Sequence, residues 1–147
     1  MKLLTGVMLC GMALSAHAES KLKVSDLPPA VQKTVEEQLK DATLVSVGKE
    51  VEKGKTLYEV ETKVNGKTRD LMVDPAGAVV EVEEEVDIAG IPAAARDAIQ
   101  KKAAAGKVTK VEALSKSGKL VAYEAAVMKG KKSSEVAVTP EGLPFKD

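Results

Sequence analysis

Hydrophobic and polar residues alternate strictly from Tyr58 to Val64: Tyr58, Val60, Thr62 and Val64 fall on one side, Glu59, Glu61 and Lys63 on the other. A two-residue period is that of a half-exposed antiparallel strand. The same idea recurs some sixty residues later, where "GKLVAYEAAVMKGK" echoes "GKTLYEVETKVNGK". Ahead of each stretch the period lengthens. Leu27, Val31, Val35 and Leu39 are spaced by four and form one apolar stripe of a helix. Ile91, Ala95, Ala98, Ile99 and Ala103 form a thinner, alanine-rich one. Pro28 and Pro92 mark the two helix starts, where a missing N–H leaves nothing unbonded. Ser25 and Asp26 are expected to cap the first helix, and Gly106 to end the second.

The strands predicted after the first helix are Leu44 to Val51, with Val45, Val47 and Val51 on one face; Tyr58 to Val64; Arg69 to Val73, with Arg69, Leu71 and Val73 on one side; and Ala78 to Val86. Asn65-Gly66 is a strong hairpin signal because both residues accept positive φ. Asp74-Pro75-Ala76-Gly77 reads as a further turn. The second half repeats the plan through Phe145 with little chain left for a final strand. Gly54-Lys55 matches Gly118-Lys119, Tyr58-Glu59 matches Tyr123-Glu124, and Val73 to Gly77 matches Val138 to Gly142. The one-residue slip at the tyrosines is expected to be absorbed in the turn after Gly118. The expected fold class is α+β: two tandem modules, each an N-terminal helix packed on a three- to four-stranded antiparallel sheet. Module 1 covers residues 19–88 and module 2, a degraded copy with a short last strand, residues 89–147. Whether the two share one sheet is not written in the sequence.

The first eighteen residues follow a different rule. Lys2, the short apolar run Leu3 to Leu14 and Ala16-His17-Ala18 form a signal peptide cut after Ala18, which places the protein in the periplasm or outside the cell with no membrane span after cleavage. Cleavage would remove Cys10 and His17, the sole cysteine and histidine. The remaining chain then has neither thiolate nor imidazole for nucleophilic catalysis or transition-metal binding, and no glycine-rich phosphate loop appears. The reading is therefore a non-enzyme without a cofactor. Lys plus Arg and Asp plus Glu number 22 each, so no overall field favours nucleic acid.

"LPPAVQKTVEEQL" followed by "GKTLYEVETKVNGKTRDLMVDPAGAVV" resembles the PepSY-like family, itself described as similar to the beta-lactamase inhibitory protein. The second copy departs from the pattern: Ala95 replaces the valine, Ala125 follows Tyr123-Glu124, and Thr139 stands for the aspartate. The resemblance implies tandem helix-plus-sheet modules outside the cytoplasm and, loosely, a binding or inhibitory role.

The leading functional reading is an exported, non-catalytic module that contacts a protein or peptide through a sheet face. Glu59, Glu61, Glu124 and Arg69 are the partner-facing candidates, the glutamates pointing away from the helices while Tyr58 and Tyr123 point toward them. Inhibitor hot spots favour Trp, Tyr and Arg, and this chain has no Trp and two Tyr. The alternative is a cation- or small-ligand-responsive envelope protein using the acidic strand Glu81 to Asp87. Glu81, Glu83 and Glu85 are its candidate metal ligands, set against a solvated outer face because carboxylates along one strand do not converge on one ion.

Overall fold

The computed structural model describes residues 22–52 and 54–146. The expected signal peptide, with Cys10 and His17, lies outside them. After a 3-10 turn at Val24–Asp26 come α1 (Pro29–Gln38), β1 (Thr43–Glu52), β2 (Lys55–Val64), β3 (Lys67–Val73) and β4 (Val79–Glu85). A second 3-10 turn at Ile88–Gly90 leads to α2 (Ala93–Ala103), β5 (Lys107–Lys116), β6 (Lys119–Lys129) and β7 (Lys132–Val138). The strands form one seven-stranded antiparallel meander in sequence order. β4 pairs directly with β5, so both halves of the chain share a single sheet. Beyond β7 the described residues make a turn and an isolated bridge, Val138 to Pro144.

The turns follow local chemistry. Asn65 and Gly66 both have positive φ (51° and 84°), the pair a two-residue hairpin needs to match strand twist. In the β3–β4 turn the Asp74 carboxylate accepts from the N–H groups of Ala76 and Ala78, both at 2.9 Å. Gly77 there serves a packing purpose as well: a Cβ would stand 2.6 Å from the Ala30 carbonyl oxygen of α1. Gly142 meets the Ala94 carbonyl of α2 in the same way, at 2.4 Å. Glycine is required at both places by positive φ and by close backbone approach.

Both helices cover the same side of the sheet. Under α1 lie Leu27, Val31, Val35, Val47, Val60, Leu71 and Val73, with Tyr58 packed against them. Under α2 lie Ile91, Ala95, Ile99, Val111, Tyr123, Ala125 and Val138. Register shows that these clusters share a side, because Arg69, Glu84 and Ala113 are successive cross-strand partners between them. The two tyrosines thus point toward the helices, as their alternation requires. Buried Thr62 satisfies its hydroxyl by donating to the Arg69 carbonyl at 2.6 Å.

Several expectations are corrected. No side chain caps α1; Asp26 instead accepts from the Lys23 N–H in the preceding turn. Gly106 does not end α2: Ala104 takes the positive φ, 49°, and a Cβ on Gly106 would strike Val127. Of Val45, Val47 and Val51 only Val47 is buried, while Val51 is 68% exposed. A bulge between Leu44 and Ser46 hands the core position to Leu44. The tyrosine slip is not absorbed in the turn after Gly118. It sits within β6, where Leu114 pairs with Ala122 but Ser115 with Leu120. A bulge adds one residue to a strand without disturbing the flanking faces.

Candidate functional site

The side of the sheet without helices is where the carboxylates gather. Alternation within each strand sends Glu59 and Glu61 (β2), Asp70 (β3), Glu81, Glu83 and Glu85 (β4), Glu112 (β5), Glu124 (β6) and Glu135 (β7) to this side. Cross-strand register then lines them up. One row runs Ser46, Glu61, Asp70, Glu83, Leu114; a second runs Gly48, Glu59, Met72, Glu81, Lys116; a third runs Glu85, Glu112, Glu124. Four directly opposite pairs set carboxylate against carboxylate: Glu61 with Asp70, Asp70 with Glu83, Glu85 with Glu112, and Glu112 with Glu124. Such pairs oppose sheet formation.

The tightest focus joins three strands. One carboxylate oxygen from each of Asp70, Glu83 and Glu112 lies within 4.8 Å of the other two. Burial pushes the Glu83 carboxyl up to about 8, helped by the charges of Glu124, Glu112, Glu81 and Asp70. Asp70 rises to about 6, again mainly through burial, with Lys110 pulling the other way. Burial and the Glu112 charge also raise Glu135. Crowded carboxylates hold protons because ionising all of them together is unfavourable. Lys110 answers part of the charge. Its ammonium stands 2.6 Å from Glu112; burial works to lower its pKa, but Glu112, Asp70 and Glu85 outweigh this and raise it. Lys116 pairs with Glu81 at 3.2 Å. Glu85 accepts from the Thr68 N–H and hydroxyl at 3.2 and 3.3 Å, and Ser46 donates to Glu61.

The sequence-derived candidates divide. Glu59, Glu61 and Glu124 do lie opposite the helices, but Glu59 does not reach into solvent: it is only 6% exposed. Among the described residues no second layer covers this side, yet Leu114 and Ala122 on it are buried as well. Arg69 lies across the sheet from the acids. Its guanidinium donates to the Gln38 carbonyl at 3.0 Å and reaches Asp41 at 3.2 Å, where it satisfies the open end of α1. Glu81, Glu83 and Glu85 share the acidic side, yet only Glu83 joins the three-carboxylate focus. The alternation of "EVEEEVD" places these glutamates on one face, but nothing local reveals that Asp70 and Glu112 flank Glu83. The sequence reading missed both.

A groove of about 640 Å³ opens at one end of this side, between the β1–β2, β3–β4 and β5–β6 turns, with Leu57, Met72 and Val80 among its walls. Beside it is a cavity of about 20 Å³, lined by Glu59, Asp70, Leu71, Met72, Glu81 and Glu83.

No family model and no curated protein matches the chain. Solved structures do match it in fold. A protein described as periplasmic from Bacteroides eggerthii shares 18% identity over 82% of this chain and 86% of its own, with a TM-score of 0.66. A DUF2874 family protein from Bacteroides ovatus gives 18% identity, 82% and 85% coverage, and 0.62. A BLIP-like protein from Bacteroides fragilis gives 19%, 80% and 82%, and 0.57. The expected likeness to the beta-lactamase inhibitory protein is thus met in fold. Identities this low speak for fold alone.

Proposed function

We propose that this protein is an exported, non-catalytic binding module that takes up a cationic protein or peptide segment on the helix-free side of its sheet. The observation that carries this reading is the set of four directly opposed carboxylate pairs. Folding alone would favour neutral or opposite charges there. A cationic partner removes the repulsion, so part of its binding energy is stored in the free protein. Electrostatic complementarity of this kind gives fast, salt-sensitive association. Export and a periplasmic or extracellular location are supported by the N-terminal signal pattern and by the periplasmic description of the Bacteroides eggerthii structure. No helix among the described residues is long and apolar enough to cross a membrane.

Paired carboxylates with raised pKa values also serve general acid–base catalysis. The cavity beside them, about 20 Å³, has room for about one water molecule, which favours binding over turnover of a substrate. Inhibition of an enzyme would follow if the cationic partner were one. It would not rest on aromatic anchors, since Tyr58 and Tyr123 belong to the helix side. The two halves, residues 19–88 and 89–147, read as tandem PepSY-like copies fused through β4 and β5. The paired close approaches at Gly77 and Gly142 support that origin.

Titration calorimetry with a lysine decapeptide tests the reading. Binding is expected in low salt, weakening at least about tenfold at a few hundred millimolar NaCl, where screening shortens to a few ångströms. Replacing Asp70 and Glu83 together by Asn and Gln is expected to abolish most of it. A peptide that binds neither more tightly at low salt nor less tightly to the double variant rejects the proposal.

A second reading is favoured by the convergence of Asp70, Glu83 and Glu112: a hard divalent cation, which takes carboxylate oxygens. Lys110 already supplies positive charge at Glu112, so the ion would have to displace it. Thermal melting with millimolar calcium distinguishes the readings. A rise in Tm lost in Asp70→Asn favours the cation, and an unchanged Tm removes it.

A further inference from the structure

The acidic side does not end in solvent at the Met72 row; it runs into the groove. Leu57, Met72 and Val80 line that groove and belong to neither apolar core. Val80 is there because of a bulge: Met72 pairs with Glu81 and Val73 with Val79, so Val80 has no partner on β3, while its carbonyl accepts from the Ser117 N–H at 2.9 Å. The groove's own carboxylates are engaged, Glu81 with Lys116 and Asp74 with the N–H groups of its turn. Lys55, Thr56, Lys116 and Ser117 also stand on its rim, Lys116 paired with Glu81, and its apolar walls are Leu57, Met72 and Val80. Its volume, about 640 Å³, falls within the roughly 300–1,000 Å³ of pockets that hold compact ligands. Met72 and Glu81 are shared walls of the groove and of the small carboxylate-lined cavity.

We propose that the partner segment carries an apolar side chain beside its basic residues, and that this side chain seats against Leu57, Met72 and Val80 while the basic residues lie over Asp70 and Glu83. This rests on the cationic-partner reading and deepens it. The spacing is set by β3: Met72 and Asp70 project from the same side two residues apart, about 7 Å along a strand. An extended segment matches this with an apolar residue at position i and Lys or Arg at i+2. A free fatty acid, whose carboxylate would meet Lys55 in the same groove, is the alternative occupant that the test separates.

Two peptides test the proposal: an alternating Lys-Gly octapeptide, and the same peptide with a phenylalanine placed two positions before its first lysine. Their affinities are measured for the full protein and for Leu57→Ser, and the methyl resonance of Met72 is followed by NMR with Met128 as a remote control. The phenylalanine peptide is expected to bind about tenfold more tightly, from burial of its ring, and to shift the Met72 methyl alone. Leu57→Ser is expected to remove that advantage and leave the plain peptide unaffected. Should Leu57→Ser fail to fold, the Met72 shift in the unaltered protein still decides. Equal affinities for both peptides, with no Met72 shift, overturn the anchor and leave the cationic-partner reading standing. Failure of both peptides to bind overturns the two together. A Met72 shift produced by dodecanoate but not by the phenylalanine peptide reassigns the groove to a lipid and overturns the proposal.

Discussion

Asp70 on β3 and Glu83 on β4 are direct cross-strand partners, two carboxylates face to face on the side of the sheet opposite α1 and α2. Glu112 on β5 brings a third oxygen within the same 4.8 Å. Burial and like charge together hold Glu83 at about 8 and Asp70 at about 6, so the face keeps protons at neutral pH that the unfolded chain gives up.

That retention sets a sign for pH dependence. Both carboxyls have folded-state values above their unfolded ones, 4.5 for Glu83 and 3.8 for Asp70. The folded state therefore binds more protons, and stability falls as pH rises. The contribution of Glu83 is fully present below about pH 4.5 and lost as pH passes through about 8. The unfolding free energy from urea titrations is expected to decline between about pH 5 and 8.5, by on the order of 2–4 kcal/mol. Glu83→Gln is expected to flatten that decline and to be more stable than the parent at pH 9. A parent protein more stable at pH 9 than at pH 5 would contradict the assignment.

The tyrosines are expected to differ in weight. Tyr123 is 8% exposed, whereas Tyr58 is only partly buried at the margin of its cluster. Tyr123→Ala is expected to cost about 3–5 kcal/mol, the range for a buried aromatic, and Tyr58→Ala distinctly less. Chemical denaturation of the two variants side by side checks the order.

Gly77 and Gly142 each combine positive φ with a helix carbonyl less than 3 Å from any added Cβ. Alanine at either position must shift the helix start or the turn. A loss of about 1–3 kcal/mol is expected in each case. Because the clashing atom is backbone, neither site has a flexible side chain that can move aside. Variants that melt with the parent would show that the helices sit further from these turns.

Ala104 ends α2 at φ 49° and ψ −114°, a region that costs a non-glycine residue on the order of 1–3 kcal/mol. Ala104→Gly is expected to stabilise by about 1 kcal/mol once the greater freedom of glycine in the unfolded chain is deducted. A scanning-calorimetry Tm below that of the parent would show that the strain is relieved some other way.

Much of this protein was settled by short-range sequence. Alternation alone assigned Tyr58, Val60 and Thr62 to one side of β2 and Glu59 and Glu61 to the other, because successive side chains of a strand must diverge. Asn65-Gly66 closed its hairpin because few other pairs accept two positive φ values. The prolines at 28 and 92, with φ of −55° and −52°, located the helix starts because a fixed negative φ and a missing N–H are tolerated there. Tertiary structure decided what depends on register between strands. It alone joined β4 to β5, brought Asp70 and Glu112 beside Glu83, and turned Glu59 from a solvent-facing residue into a nearly buried one. It sent Arg69 to the end of α1, put Val45 at a bulge, and left Val51, on the same face as Val47, outside the core near the end of β1. Cross-strand pairing is chosen by the total packing of two helices on seven strands, and no window of sequence a strand long contains that sum.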